Sequence, residues 1–318
     1  MKDRAISQAI KERIDAAGHI TLASHIRPDG DAVGSVIGLG LALRDYGKQV
    51  HLSFEETLPM RFRFLGDGLQ KDKSQKDTLY IALDCADQQR LAHFYADKQI
   101  AINIDHHATN DAFAVLNYVD EDAAATTEII TNLLTEWQIQ ISQSAANALL
   151  MGIITDTIGF RTPNTTPQTL QTAALLMEKG ADLSSTYQQS LTDTNWEASL
   201  LWGNALAKLQ KEGNIIYTDI TCEDRKKAGF TGRDDADLTN FLSSIQDAEI
   251  TILFNQQDEN TVKVSWRSRS DVNVSVLASQ FGGGGHPAAA GAEIKLSLPQ
   301  TQQKILQATK EFLIKYHD

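Results

Sequence analysis

The 318-residue sequence is poor in cysteine and has fewer basic than acidic residues, and each shortage excludes a class of protein. Its two cysteines, Cys85 and Cys222, lie far apart, so neither a disulfide framework nor a cysteine zinc site is expected. Lysine and arginine number 29 against 41 aspartates and glutamates, which gives a net charge of −12. An extended contact with long duplex nucleic acid needs a basic surface and is not expected, whereas a short phosphorylated substrate is compatible with this charge.

Long apolar segments are also missing. No apolar run reaches the roughly 18 residues of a membrane span. Residues 1–18 are amphipathic and charged, without the apolar core of a signal peptide. We therefore expect a cytoplasmic protein that makes no membrane contact, and the chain length suggests two domains.

The first half of the chain alternates short apolar runs with segments of helical spacing. Strands are predicted over 21–24, 49–54, 78–85 and 99–105. Helices are predicted over 33–47, 124–138 and 144–156. This alternation indicates an α/β fold built on a parallel, doubly wound sheet.

The second half begins with helical patterns and then returns to strands. Helices are predicted over 169–180, 195–213 and 301–316, and period-two strands over 214–220, 248–256 and 261–269. We expect a catalytic domain over 1–190, a helical linker over 191–212 and a smaller mixed α/β domain over 213–318.

Acidic and histidine side chains follow four of the predicted segments, at the sheet edge where open parallel sheets bind ligands. They are His25, Asp29, Asp31, Asp84, Asp105, His106, His107 and Asp156. A single aspartate at such a position commonly caps a helix or forms a turn. Several unpaired carboxylates at one edge would repel one another, and a bound cation removes that conflict.

The type of cation follows from the ligand types. Carboxylates and imidazoles without a thiolate suit Mn²⁺, with Mg²⁺, Co²⁺ and Fe²⁺ as alternatives. Five or six such groups are too many for one ion, so two ions roughly 3.5–4 Å apart, sharing one carboxylate, are expected. Such a pair suits hydrolysis of a phosphate ester or anhydride, because it lowers the pKa of a bridging water and neutralises charge on the phosphoryl oxygens.

Five motifs, in family order, resemble those of the DHH phosphoesterases. HIRPDGD (25–31), ALDCAD (82–87), DHH (105–107) and GIITDT (152–157) resemble the catalytic motifs. FGGGGHPAAAG (281–291) resembles the glycine-rich signature of the associated substrate domain. Within the family, the chain is most similar to compact two-domain nanoRNases that also dephosphorylate 3′-phosphoadenosine 5′-phosphate (pAp).

The resemblance implies a role for each of these side chains. One metal ion would be bound by His25, Asp29 and Asp84, and the second by Asp31, Asp84, His106 and Asp156. In this arrangement Asp84 bridges the two ions. Asp105 would assist at the metal or orient His106, and His107 would contact the scissile phosphate or protonate the leaving group.

Substrate-binding candidates lie mainly in the second domain. They are Gly283, Gly284, Gly285, His286, Arg267, Arg269 and Arg27. The glycines would let backbone N–H groups approach a phosphate, although an ordinary glycine-rich turn also explains them. The two arginines of the predicted strand, two residues apart, share a face that would meet a terminal phosphate, unless both simply face solvent. Arg27 lies inside the first motif and could reach a phosphate.

Together these features predict a Mn²⁺-dependent hydrolase that releases mononucleotides from very short oligoribonucleotides, including linear pApA. The same enzyme would remove the 3′-phosphate from pAp. A cleft between the two domains would favour oligonucleotides of a few residues. Direct hydrolysis of cyclic di-AMP is the alternative enzymatic hypothesis, and a nucleotide- or RNA-binding module without catalysis is a third. A homodimer is compatible with the sequence, but no surface argues for it.

Overall fold

In the computed structural model of the protein, the described residues are 4–54, 58, 60–65, 78–91, 95 and 98–317. The chain forms two compact units, Met1–Asp193 and Thr194–Asp318. Residues 194–212, most of the expected linker, therefore belong to the second unit. No described helix is both long and apolar enough to span a bilayer.

The first unit contains a five-stranded sheet in the order β2-β1-β3-β4-β5. Its strands are β1 His19–Ala23, β2 Gln49–Ser53, β3 Thr78–Leu83, β4 Ile102–Asp105 and β5 Leu116–Val119. All neighbouring strands are parallel, which confirms the predicted α/β fold. The short β5 was not predicted, because LNYV has no period-two alternation and only its Tyr118 is fully buried.

Six α-helices accompany this sheet in the described part of the unit. They are α1 Arg4–Ala16, α2 Gly30–Asp45, α3 Thr126–Glu136, α4 Gln143–Asp156, α5 Pro167–Glu178 and α6 Leu183–Tyr187. α2 begins three residues before its predicted start, because the Asp29 carboxylate caps it by accepting from the backbone N–H groups of Asp31 and Ala32. The first motif thus bends directly into a helix, and Asp31 lies in its first turn.

Glycines let α2 and α4 pack closely. A Cβ at Gly34 would lie 2.5 Å from the carbonyl oxygen of Ala148. A Cβ at Gly152 would lie 2.8 Å from Oδ1 of Asp31 and 2.5 Å from Oγ1 of Thr127. Both helices are buried along most of their length, so larger side chains could not be accommodated by a shift into solvent. This close approach brings the first turn of α2 beside α4.

The second unit contains a six-stranded mixed sheet in the order β10-β11-β9-β8-β7-β6. Its strands are β6 Gln210–Glu212, β7 Ile215–Ile220, β8 Ile250–Asp258, β9 Thr261–Ser268, β10 Gly284–His286 and β11 Ala289–Ile294. Its helices are α7 Trp196–Leu206, α8 Cys222–Ala228, α9 Leu238–Leu242, α10 Val274–Ser279 and α11 Leu298–His317. The expected mixed α/β second unit is confirmed.

Two local predictions in this unit were wrong. The helix predicted over 195–213 ends at Leu206, and β6 pairs with β7 through a turn at Gly213, whose φ of 58° favours glycine. A turn over the whole glycine-rich stretch is also wrong, because Gly284 and Gly285 belong to a strand, β10, paired with β11. A Cβ at Gly283 would lie 2.1 Å from the carbonyl oxygen of Gly291, so the close approach of the two strands alone requires a glycine there.

Gly34→Ala should destabilise the first unit, because the added Cβ would overlap the Ala148 carbonyl. We expect the free energy of unfolding in urea to fall by about 1–3 kcal/mol, although alanine is the better helix former. Gly18→Ala is the control, since nothing lies within 4 Å of a Cβ there. Equal stability of the two variants would contradict the close helix contact.

Candidate active site

Side chains that follow β1, β3, β4 and α4 meet at one edge of the first unit. Among the described residues, three groups have possible ligand atoms within 4.8 Å of one another. They are His25, Asp29 and Asp84; Asp31, His106 and Asp156; and Asp84, His106 and His107. Asp84 and His106 each belong to two groups. The structure thus brings seven of the predicted side chains together, and the eighth, Asp105, contacts His107.

His25 and Asp29 form one side of the cluster with Asp84. Nε2 of His25 lies 3.7 Å from Oδ2 of Asp84 and 3.9 Å from Oδ2 of Asp29. Nδ1 of the same ring is 2.9 Å from the carbonyl oxygen of Ile26. A proton on Nδ1 would be donated to that carbonyl, which leaves the Nε2 lone pair directed at the carboxylates. Three possible ligand atoms therefore surround one point.

His106 forms the other side of the cluster. Its Nε2 lies 3.7 Å from Oδ2 of Asp156 and 3.8 Å from Oδ1 of Asp84. Its Nδ1 lies 3.4 Å from the carbonyl oxygen of Ala123, so the ring has the same orientation towards the cluster as His25. Asp31, in the first turn of α2, completes this group.

Asp84 occupies the centre and is almost completely buried. One carboxylate oxygen faces His25 and the other faces His106, so a single side chain connects both groups. Its backbone has a φ of 53°, a left-handed conformation that is uncommon for residues other than glycine. Aspartate tolerates this conformation better than most residues do, and strained backbone of this kind often occurs at functional sites.

The cluster carries more negative charge than its protein surroundings balance. Burial, with the nearby charges of Asp31, Asp29 and Asp156, raises the pKa of Asp84 well above its ordinary value. Burial and the charge of Asp31 raise the pKa of Asp156 to about 8. No lysine or arginine forms an ion pair with Asp31, Asp84 or Asp156 in the described part of the chain. A divalent cation fits this set of oxygen and imidazole ligands and would balance the charge.

Asp105 and His107 form a hydrogen-bonded pair beside the cluster. Oδ1 of Asp105 accepts from Nδ1 of His107 at 2.7 Å, and Oδ2 accepts from Nδ2 of Asn110 at 2.6 Å. Burial alone would raise the pKa of Asp105, but the hydrogen bond and charge of His107, with the Asn110 bond, hold it below its ordinary value. Asp105 therefore contacts His107. Its expected roles were to assist at the metal or to orient His106.

The three ligand groups do not include the remaining predicted residues. Arg27 is exposed in the loop between His25 and Asp29, with a φ of 57°. Arg267 and Arg269 belong to the second unit and donate to the carbonyl oxygens of Trp266 and Ser243. β9 ends one residue before Arg269, so the strand face predicted for both arginines includes only Arg267. His286 and Gly284 are exposed on β10.

Three residues of the site were missed by the sequence analysis. Asn110 fixes Asp105, and Thr126 and Thr127 donate to the carboxylates of Asp84 and Asp31. Threonines at the start of a predicted helix and an asparagine in a turn are common, so neither has a distinctive sequence pattern.

The comparisons with known proteins agree with the motifs. Residues 19–153 match the family model described as "DHH family, N-terminal domain", and residues 212–315 match the "DHHA1 domain". A crystal structure of an exopolyphosphatase-related protein from Bacteroides fragilis aligns with a TM-score of 0.88 at 23% identity. The alignment covers 99% of this chain and 97% of the Bacteroides fragilis chain, which shows that the two proteins share a fold.

Relatives with assigned activities are similar over nearly the whole length. The bifunctional oligoribonuclease and PAP phosphatase NrnA of Thermus thermophilus is 32% identical to this chain. The match covers 98% of this chain and 94% of the Thermus protein. The Bacillus subtilis protein of that name is 30% identical over 86% of this chain and 89% of its own. The cyclic-di-AMP phosphodiesterase GdpP of Geobacillus thermodenitrificans is 26% identical, and the match spans 98% of this chain but 50% of GdpP. The chain therefore belongs to the DHH family of phosphoesterases.

Proposed function

We propose that the protein is a metal-dependent phosphodiesterase that hydrolyses very short oligoribonucleotides, including linear pApA, to mononucleotides. The same site would remove the 3′-phosphate from pAp. The observation that carries the proposal is the position of the Asp84 carboxylate between two ligand groups at the sheet edge, with one oxygen facing His25 and the other facing His106. Similarity to NrnA over 98% of the chain supports this choice among phosphoesterase substrates.

Two Mn²⁺ ions suit the ligands best, with Mg²⁺, Co²⁺ and Fe²⁺ as alternatives. One ion would be held by His25, Asp29 and Asp84, and the other by Asp31, Asp84, His106 and Asp156. Bound there, the ions would lower the pKa of an attacking water and balance negative charge on the phosphoryl group. The protein contributes two imidazoles whose Nδ1 atoms face backbone carbonyls, which fixes the direction of each Nε2.

His107 is the proposed general acid, or a direct contact to the scissile phosphate. Its Nδ1 lies 2.7 Å from Oδ1 of Asp105, and this hydrogen bond fixes the orientation of the ring. A protonated His107 could pass a proton to the leaving oxygen. Asn110 holds the second oxygen of Asp105, so the carboxylate cannot rotate away from the ring.

Substrate recognition is proposed to involve Arg27, Arg267, Arg269 and the segment 283–286. The exposed His286 and Gly284 support a role for this segment. Glycine at 283 does not add support, because strand pairing already requires it. The guanidinium groups of both second-unit arginines donate to backbone carbonyls and keep further N–H groups for a phosphate.

Hydrolysis of cyclic di-AMP is the second candidate, and the similarity to GdpP favours it. The chain spans about half of GdpP but nearly all of NrnA, so the linear substrates are preferred here. A binding module without catalysis would not need three overlapping ligand groups, two of which contain the buried Asp84. The net charge of −12 argues against long duplex nucleic acid as a partner.

A substrate panel in Mn²⁺ tests the proposal. It comprises a diribonucleotide, a pentaribonucleotide, pApA, cyclic di-AMP, pAp and pyrophosphate, each followed by chromatography. We expect the fastest hydrolysis for the linear dinucleotides.

Asp84→Ala should lower kcat/KM by more than about 100-fold, because it removes the carboxylate shared by both ligand groups. Asp182→Ala, which alters only the cap of α6, is the control. Faster hydrolysis of the cyclic dinucleotide, or full activity of Asp84→Ala, would reject the proposal.

His107→Gln should separate catalysis from metal binding. We expect kcat for a dinucleotide to fall by about 10²–10⁴-fold, because the proton donor is lost, while the affinity for Mn²⁺ measured by calorimetry stays near that of the unaltered protein. His51→Gln on β2 serves as the control. A loss of Mn²⁺ affinity in proportion to the loss of kcat would instead make His107 a metal ligand.

A further inference from the structure

Residues 123–128, with the sequence AAATTE, contact three of the proposed metal ligands. The carbonyl oxygen of Ala123 faces Nδ1 of His106. The two threonines of the segment donate to the carboxylates of Asp31 and Asp84. One short segment at the start of α3 thus touches side chains that come from β4, α2 and the end of β3.

Asp31 accepts more hydrogen bonds from this segment than Asp84 does. Its Oδ2 accepts from the backbone N–H of Thr126 at 2.6 Å. Its Oδ1 accepts from the backbone N–H of Thr127 at 3.0 Å and from the Thr127 hydroxyl at 2.6 Å. Ala125, at the N-cap of α3, has no side chain to cap the helix, and Asp31 supplies that cap from α2. Donors on both oxygens fix the plane of the carboxylate.

Asp84 receives a hydrogen bond from the same pair of residues. The Thr126 hydroxyl donates to Oδ1 of Asp84 at 3.0 Å. Thr126 therefore bonds Asp31 through its backbone and Asp84 through its side chain. Both threonines are 0% exposed, so neither can contact a substrate directly. Their effect on the site has to pass through the two carboxylates.

The segment is itself fixed by its neighbours. The Glu128 carboxylate accepts from the backbone N–H of Ala124 and from the hydroxyl of Thr169, both at 3.0 Å. Nδ2 of Asn164 donates to the carbonyl oxygen of Ala124 at 3.2 Å. Bonds from two other parts of the unit hold the backbone that presents the threonines, so their hydroxyls have a defined position before any ligand binds.

We propose that Thr126 and Thr127 are positioning residues of the metal centre. Their hydroxyls orient the carboxylates of Asp84 and Asp31 and thereby set the affinity for the ions, without contacting metal or substrate. The inference rests on the proposed function in one respect, that these two aspartates bind metal. Groups that orient ligands in this way typically change metal affinity by about 10–100-fold when they are removed.

The test compares valine and serine at both positions. Thr126→Val and Thr127→Val keep the side-chain shape and remove the hydroxyl, whereas Thr126→Ser and Thr127→Ser keep the hydroxyl. Thr131→Val is the matched control, because its buried hydroxyl, one turn along α3, donates to a backbone carbonyl and not to a carboxylate. Each protein is titrated with MnCl₂ alone by calorimetry, and its thermal unfolding is recorded without metal.

We expect the Kd for Mn²⁺ to rise by about 10–100-fold in both valine variants. It should stay within about twofold of the unaltered protein in the serine variants and in Thr131→Val. With saturating Mn²⁺, kcat for a dinucleotide should fall in the valine variants while KM changes little, since the threonines do not reach the substrate. If a valine variant does not fold, alanine at that position also removes the hydroxyl and puts no methyl group in its place.

An unchanged Kd in Thr126→Val and Thr127→Val, or a rise no larger than in Thr131→Val, would overturn the inference. A lower unfolding temperature of the valine variants without a change in their Kd for Mn²⁺ would likewise assign the two threonines a purely structural role. Failure of the proposed function gives a different result: the unaltered protein would bind Mn²⁺, the valine variants would bind it weakly, and none would hydrolyse the dinucleotide.

Discussion

Repulsion among buried carboxylates at one sheet edge is the constraint on which the rest of the structure depends. Asp31 and Asp84 are 1% exposed, and burial raises the pKa of both, in Asp84 reinforced by the charge of its neighbours. Asp156 adds a third carboxylate with a raised pKa. In the described residues, the ring nitrogens of His25 and His106 face Asp84 and Asp156, and no lysine or arginine does; both histidines are themselves possible ligands. Such a cluster is stable when protons or cations neutralise it, and its ligand types favour divalent cations.

The fold creates this crowding through backbone geometry. Parallel strands β1, β3 and β4 end at the same edge, so the residues that follow them converge without long loops. Gly34 and Gly152 let α2 and α4 approach closely, and a larger residue at 152 would overlap Asp31. Asp84 adopts a left-handed backbone conformation at the centre. The backbone therefore adopts a locally unfavourable conformation where the ligands meet, as is common at functional sites.

Much of this arrangement could be predicted from the sequence, and the limits have physical causes. The residues after the parallel strands were predictable, because strand direction alone assigns them to one edge. Thr126 was not, since its bond to Asp31 spans 95 positions and depends on how α3 packs beside α2. Strand β10 was not predicted, because successive glycines give no strand pattern and only pairing with β11 makes a strand of Gly284–His286.

The central claim of our proposal is a site in which one buried aspartate, Asp84, would join two metal positions. The most direct test is electron paramagnetic resonance of the protein titrated with Mn²⁺, combined with the number of ions bound per chain. A centre bridged by Asp84 predicts two Mn²⁺ per chain and the signal of a magnetically coupled pair, since bridged ions lie roughly 3.5–4 Å apart. A single bound ion, or two ions with independent signals, would contradict it.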